Sequence, residues 1–368
     1  MELELSDDQE LFLDTTRRFL AAEAPMSAVR ALEHEPAGYD AGYWRRAAGL
    51  GWTSLLVPEA DGGGSVSGHG LLDLVLVAEE MGRRVAPGPL SPVNLVASAL
   101  AAGSPAQKAA VLPGLLAGES VAAWTGPDPV VAEADPAGGY RLTGVASPVE
   151  AGAQAGHLLV TAQAPEGPTL VLVPADLPGL TVTPLDGLDL VRRYAEVRVD
   201  AVPVPASAVV GRAGRAAGEV ERLGQVACVL QCAETVGAMD HVLGMTVDYL
   251  GDRWSFGRPL ASFQALKHRV ADDKLWLEAS HAAATAAARA VATGAADAGE
   301  VVSAAKAWIG PHATELIQDC VQLHGGIGVT WEHDLHLYLR RATVNRATHG
   351  TPGEHAERIA TRLLGAAS

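Results

Sequence analysis

The residues with the clearest chemical capacity stand in two short stretches of the second half of the chain. The first, Arg253 to Asp272, reads RWSFGRPLASFQALKHRVAD. Its spacing ends one long helix, turns at Gly257 and Pro259 and opens another helix, which leaves Arg253 and Phe256 at a helix-end corner. A guanidinium at such a corner can pair bidentately with a phosphate, and an aromatic ring beside it can lie against a nucleobase. The same pattern equally suits a solvated Arg beside a core Phe. The second stretch, Cys320 to Ala342, reads CVQLHGGIGVTWEHDLHLYLRRA. Its adjacent Gly325 and Gly326 permit positive φ and close approach of a ligand to backbone N–H groups, although a simple helix stop uses the same residues. His324, His333 and His336 stand among apolar residues with no Cys or carboxylate set at ligand spacing. Packed or solvated histidines are therefore expected there, and no metal site.

These stretches belong to a chain of 368 residues with 27 basic and 43 acidic side chains, a formal net charge of −16 at pH 7. The length admits a large core or two to three domains. A content of 48% hydrophobic and 19% charged residues excludes a disordered chain. The negative balance excludes nucleic acid and anionic membrane surfaces as partners, and it obliges any anionic ligand to be held by a local cluster of donors. Of the three cysteines, Cys228 and Cys232 are four apart on one inward helical face. An odd count suits a reducing compartment rather than a disulfide. The first residues, MELELSDDQELFLDTTRRFL, are acidic and amphipathic, unlike a signal peptide. No window of eighteen residues is uninterruptedly apolar. A cytoplasmic protein with no membrane insertion is expected.

The elements that must position the two stretches follow from the period of the apolar residues. From Ser6 to about Leu116 the spacing is helical. Ser6 and Gln9 have capping-box spacing, Leu11, Phe12, Thr15 and Phe19 follow on one face, and further helices are predicted over 43–48, 70–81, 92–101 and 106–116. Between about Ser120 and Val210 short apolar runs alternate with Gly, Pro and Asp. HLLVTAQA, PTLVLVPA, GLTVTPL and YAEVRVDAVPVP read as strands. Helical spacing returns over 220–250, 262–292, 297–323 and 353–364. Helices, then strands, then helices predict a mostly α chain with a central β domain: an N-terminal helical domain over 1–118, a middle β domain over 119–212 and a C-terminal helical domain over 213–368. No G-x-G-x-x-G follows a strand, so a Rossmann dinucleotide site is not supported.

In its motifs the chain resembles the acyl-CoA dehydrogenase family, flavoproteins that remove two hydrogens across the α and β carbons of a CoA thioester. The resemblance covers essentially the whole length. It rests on PEADGGGSVSGHGLLDLVLVAEEMGR from Pro58 to Arg83, on R-x-x-F-G-x-P-x-x-x-F-Q from Arg253 to Gln264, and on Q-L-H-G-G-x-G from Gln322 to Gly328. It implies a β-barrel-like middle domain, a C-terminal four-helix bundle, FAD as cofactor, an acyl-CoA substrate and electron-transfer flavoprotein or a similar acceptor. It also implies Arg253, Phe256, Gln264, Gln322, Gly325 and Gly326 as flavin contacts made across a subunit interface.

The same resemblance exposes a one-sided loss. Relatives with the base near the C-terminus carry it as Glu in a segment resembling R-D-A-x-x-x-x-x-x-E-G-T, which here reads RRATVNRATHGT from Arg340 to Thr351 and puts His349 at the base position. Neutral imidazole is a serviceable general base. However, the Thr-Glu-Pro beside the flavin ring is Thr125-Gly126-Pro127, Pro148 and Glu150 stand where a ring-covering Trp and Thr would be, and Gly353 replaces a Gln. Glu234 is an alternative base, although the family's helical Glu aligns nearer Ala227. Glu332 reads as a cap or structural partner, and Glu354 could approach only if the loop after His349 moved. The pattern implies a subunit that serves the flavin of a related partner chain in a two-plus-two heterotetramer, an arrangement met in actinobacterial steroid side-chain breakdown. The alternatives are a self-sufficient homotetramer using His349 and a flavin-free acyl-CoA binder.

Overall fold

The computed structural model describes residues 5–136 and 138–365. Six helices come first: α1 (Asp7–Glu23), α2 (Met26–Ala31), α3 (Ala41–Gly49), α4 (Gly70–Arg83), α5 (Leu90–Ala99) and α6 (Pro105–Leu116). Eight strands follow: β1 (Ala122–Trp124), β2 (Val130–Ala134), β3 (Tyr140–Glu150), β4 (His157–Ala164), β5 (Gly167–Pro174), β6 (Leu180–Leu185), β7 (Tyr194–Val204) and β8 (Val209–Val210). The chain then continues through α7 (Ala217–Asp252), the hairpin β9 (Trp254–Ser255) and β10 (Arg258–Pro259), α8 (Gln264–Ala292), α9 (Ala298–His324), α10 (Leu335–Ala347) and α11 (Pro352–Gly365). The helical, then β, then helical order agrees with the sequence reading.

Two compact units form. One comprises Ala31–Leu74 and Pro87–Ala227 and contains the sheet, ordered β6-β7-β3-β2-β4-β5-β8 with β1 joined to β4. Most pairs are antiparallel, but β1 and β2 both run parallel to β4. Alternate residues of β3 and β7, such as Leu142, Val197 and Val199, turn into one apolar core with Leu158, Val160 and Val171 of β4 and β5. Within this unit Arg193 tacks down the segment after α2 by donating to the Leu32 and Glu33 carbonyls at 3.1 and 2.8 Å.

The other unit comprises Met1–Arg30, Val75–Ala86 and Cys228–Ser368. Ser6 and Gln9 form the predicted capping box of α1. The buried line of that helix is Gln9, Thr16 and Leu20, whereas Leu11 of the predicted inward face is 63% exposed. Helix α9 is the hub against which α8, α10 and α11 pack. Helix α7 crosses α4 at van der Waals distance of the backbones. A Cβ on Gly82 would meet the Glu234 carbonyl oxygen at 1.8 Å, and one on Gly237 would meet that of Glu79 at 2.0 Å. By length and composition α7 could cross a membrane, yet 89% of its most apolar window is buried, which makes it a core helix.

Charge is buried along with the apolar side chains. The Arg341 guanidinium of α10, 1% exposed, donates to Glu234 of α7 at 2.6 Å. Asn345 one turn on donates to the other Glu234 oxygen at 2.9 Å. Lys306 of α9 donates to the Gln231 side chain at 2.7 Å and to the Asn345 carbonyl, and Gln231 donates to the Thr348 hydroxyl at 2.7 Å. Breaking a buried ion pair on one side leaves an uncompensated charge, while replacing both members by apolar groups need not destabilise. Glu234→Ala is therefore expected to cost about 3–5 kcal/mol of unfolding free energy. The pair Glu234→Leu with Arg341→Met should recover most of that loss, as read by denaturant titration.

Candidate cofactor half-site

Helix α7 stops where the Arg253 N–H donates to the Tyr249 carbonyl at 2.9 Å. The hairpin that follows pairs Trp254 with Pro259 and Ser255 with Arg258. Phe256 and Gly257 remain as a two-residue loop with φ of 51° and 78°. Two positive φ values mark a type I′ turn, which normally recruits Asn and Gly, and a non-glycine residue held there costs of order 1–3 kcal/mol. The Phe256 ring is 94% exposed, so burial does not offset the strain and the core-Phe alternative is overturned. Leu260 closes the corner by donating to the Arg253 carbonyl at 2.8 Å, and the Arg258 guanidinium lies 4.0 Å over the Phe263 ring. Arg253 is exposed, and so is Gln264, the first residue of α8. No side chain caps that helix start, whose dipole adds positive potential beside the guanidinium.

The second stretch arrives at the same end. Tyr249, one turn before Arg253, donates its hydroxyl to the His324 carbonyl at 3.2 Å and stacks on the His324 ring at 4.4 Å. His324 immediately precedes Gly325. This stack ties the end of α7, from which Arg253, Phe256 and Gln264 follow, to the end of α9 that carries Gln322, Gly325 and Gly326. Gly325 has φ 64° and ψ −140°, a conformation open essentially to glycine alone. Nothing stands within 4 Å of where a Cβ would lie on Gly325 or Gly326. The Gly325 N–H itself closes α9 by donating to the Gln322 carbonyl. An exposed guanidinium, a helix start, an exposed ring and an uncrowded glycine turn suit a phosphate-bearing flavin nucleotide. His324 is a packed histidine, and among the described residues no group of three or more His, Cys, Asp or Glu could hold a metal.

His349 lies at the other end. Its turn follows α10 and takes φ 56°. The His349 carbonyl accepts from His355 Nε2 at 3.0 Å and from the Cys228 thiol at 3.5 Å, and His355 Nδ1 meets the Ser303 hydroxyl at 3.1 Å. That pattern assigns the Nε2–H tautomer to His355, and burial lowers its pKa and keeps it neutral. Cys228, at this turn, and Asp252, beside the corner, are both in α7, so the two places are about 36 Å apart along the helix axis at 1.5 Å per residue.

The other acidic candidates are occupied elsewhere. Glu234 belongs to the buried pair with Arg341, and Arg341 itself stands where the family pattern has Asp. Glu354 accepts from the Thr351 N–H at 2.7 Å and hydroxyl at 2.9 Å, while the Glu354 N–H donates to that hydroxyl at 3.3 Å. This is the capping box of α11, and its hydrogen bonds to the Thr351 backbone and side chain hold the Glu354 carboxyl below the usual range. Glu332 is exposed in the turn before α10. In the sheet unit, Glu150 pairs with Arg192 at 3.3 Å, and Pro148 falls in the register shift between Ala146 and Val149. The Thr125 hydroxyl accepts from the Thr161 N–H at 3.1 Å. Sequence reasoning missed Tyr249 and His355, and no short-range signal marks either, because both act on residues distant in sequence or across a turn.

Comparisons with known proteins agree with this geometry. Residues 6–119 match the family described as acyl-CoA dehydrogenase, N-terminal domain, and residues 224–364 match acyl-CoA dehydrogenase, C-terminal domain. The acyl-CoA dehydrogenase IpdE2 of Mycobacterium tuberculosis is 30% identical over 367 residues, covering 97% of this chain and 98% of that protein. Among solved structures, the Tcur3481–Tcur3483 steroid acyl-CoA dehydrogenase is similar with a TM-score of 0.87 and 31% identity, over 98% of this chain and 99% of that one. The ChsE4–ChsE5 complex from Mycobacterium tuberculosis is similar with a TM-score of 0.89 and 27% identity, over 99% of both chains. The helical units, the central sheet and the two motif stretches thus belong together, and the chain is a member of the acyl-CoA dehydrogenase family of FAD-dependent oxidoreductases.

Proposed function

We propose that this chain is one subunit of a mixed acyl-CoA dehydrogenase, lending the adenosine and pyrophosphate half of a flavin site to a related catalytic chain and carrying no base of its own. The observation that carries this reading is the difference between the two places that α7 holds about 36 Å apart, which no single chain brings to one reacting centre. The corner keeps its cation, ring and glycines. The other end has exchanged its carboxylate for His349 and engaged Glu234 and Glu354 in structure.

When bound, FAD accepts the hydride that leaves the β carbon of an acyl-CoA thioester. The residues of this chain would bind and orient it: Arg253 would hold the pyrophosphate charge, Gly325 and Gly326 would let it come close to the backbone, Phe256 would cover an aromatic face, and Gln264 and Gln322 would supply amide donors. The strain at Phe256 has its use here, since an exposed ring on a tight turn is already in place before the ligand arrives. The similar proteins are described as a steroid acyl-CoA dehydrogenase and as a two-chain complex. On that likeness we assign a two-plus-two tetramer and a bulky steroid-derived acyl-CoA as substrate class, and on the family resemblance electron-transfer flavoprotein or a similar carrier as acceptor.

Co-expression with a related chain that keeps Thr-Glu, Trp-x-Thr and the C-terminal Glu-Gly-Thr should give a stable complex with one FAD for each pair of unlike chains. Full flavin occupancy and turnover by this chain alone would overturn the reading. In the complex, Arg253→Ala removes a charge-assisted contact of about 1.5–3 kcal/mol, a loss of roughly 10- to 150-fold in FAD affinity. His349→Ala should leave turnover of the complex unchanged. Phe256→Asn, which suits the turn, should raise the melting temperature of the chain while weakening FAD retention in the complex, and a ring of purely structural use would lower both.

A further inference from the structure

The hairpin after α7 carries a second cation besides Arg253. Ser255 faces Arg258 across the ladder, and the Leu260 N–H donates to the Arg253 carbonyl at 2.8 Å, which continues the ladder by one further pair. Side chains alternate between the two faces of such a ladder, so Arg253 and Arg258 share a face while Trp254 and Pro259 turn to the other. Arg258 stands two residues before Leu260, the residue opposite Arg253. The two arginines are therefore diagonal neighbours, about 7–8 Å apart at their backbones and within reach of each other's long side chains.

Both guanidiniums are exposed, and neither meets a carboxylate among the described residues, not even that of the adjoining Asp252. Other arginines of the same unit are matched: Arg83 with Glu79, Glu80 and Asp240, Arg269 with Asp319, and Arg341 with Glu234. A chain with 43 acidic residues against 27 basic ones thus leaves two like charges side by side, where they repel. Arg258 is also held in place. Its guanidinium carbon lies 4.0 Å over the Phe263 ring. Attraction to the ring fixes the charged head without using its donors, and none of the Arg258 N–H groups has a hydrogen-bond partner among the described residues.

We propose, on the half-site reading, that Arg258 is a second phosphate-binding residue: Arg253 and Arg258 take the two phosphates of the dinucleotide, one guanidinium each, and make the corner select a diphosphate over a monophosphate. A lone exposed guanidinium grips one phosphate and has little with which to tell the two ligands apart. Two cations held diagonally on a fixed turn have the means, since the second phosphate adds its own charge-assisted hydrogen bonds and relieves the repulsion between the arginines.

The test uses the full chain without partner and two probes read by isothermal calorimetry. ADP-ribose has the pyrophosphate, and AMP carries a similar total charge on a single phosphate. ADP-ribose should bind about tenfold more tightly, the effect of one further charge-assisted contact between exposed groups. Arg258→Gln should remove that preference while leaving AMP within about twofold, and Arg258→Lys, which keeps the charge, should retain most of it. If Arg258 served only to brace Phe263, Arg258→Gln would weaken both probes alike and lower the melting temperature of the unliganded chain. That result would overturn the proposal, as would equal binding of the two probes or no binding of ADP-ribose by the wild type. Binding of ADP-ribose that fails in Arg253→Gln yet is untouched in Arg258→Gln overturns the role of Arg258 and leaves the half-site standing. A flavin-loaded, active tetramer of this chain alone overturns the half-site reading whatever the probes do.

Discussion

The length of α7 is the constraint on which the chemistry depends. Its 36 residues make a rod of about 54 Å, longer than the body of an extended flavin nucleotide needs. Near its middle the rod is fastened by the Gly82 and Gly237 crossing with α4, where the two backbones touch and no side chain can intervene. At its C-terminal end Tyr249 lies on His324 and sets the direction in which the Arg253 corner leaves the helix. A straight rod held at its middle and at its Arg253 end keeps the His349 turn and the Arg253 corner about 36 Å apart within one chain.

Polar contacts to its backbone and neighbours hold the turn at His349. The turn is held by Gln231 at Thr348, by His355 and Cys228 at the His349 carbonyl, and by the Thr351–Glu354 cap. None of these contacts uses the side chain at the base position. Behind them the charges of Glu234, Arg341 and Lys306 are met by one another and by amides. In a chain with a net charge of −16, burying two cations on carboxylate and carbonyl oxygens leaves fewer to face solvent, and those that remain count for more where they stand. The fold of this turn thus rests on its backbone contacts and its neighbours.

Much of this was readable from the chain alone where the determining contacts are local. The strand HLLVTAQA coincides with β4, His157–Ala164, and the helix predicted over 262–292 is α8, Gln264–Ala292, because their apolar periods are set by immediate neighbours. The motif residues of the half-site stood out for the same reason. Helix α10 was not readable, since its inward face includes Arg341 and Asn345, whose polarity hides the helical period. Their partner Glu234 lies 107 and 111 residues away, so nothing nearby shows that they are satisfied. The same distance made Glu234 look like a spare carboxylate. The Phe256 hairpin escaped because a type I′ turn ordinarily shows itself by Asn-Gly, and here a Phe holds the first position.

That ring gives the strongest argument about what the isolated chain lacks. Phe256 is 94% exposed, Trp254 63% exposed and Val329, just beyond the Gly325 turn, 77% exposed. Single exposed apolar residues need no account, but these sit on the two segments that Tyr249 and His324 tie together, and one of them is held in a strained conformation. A free chain gains nothing from this arrangement: it exposes apolar area and stores strain. Both are of a kind that a ligand and a second chain relieve, apolar area by covering it and strain by using the ring it presents. Strain is not confined to this corner, since His349 is held at φ 56°, but that turn is tied down by the His355 and Cys228 contacts to its carbonyl. The Phe256 ring has no comparable cover within its own chain, and that is the physical difference between the two places.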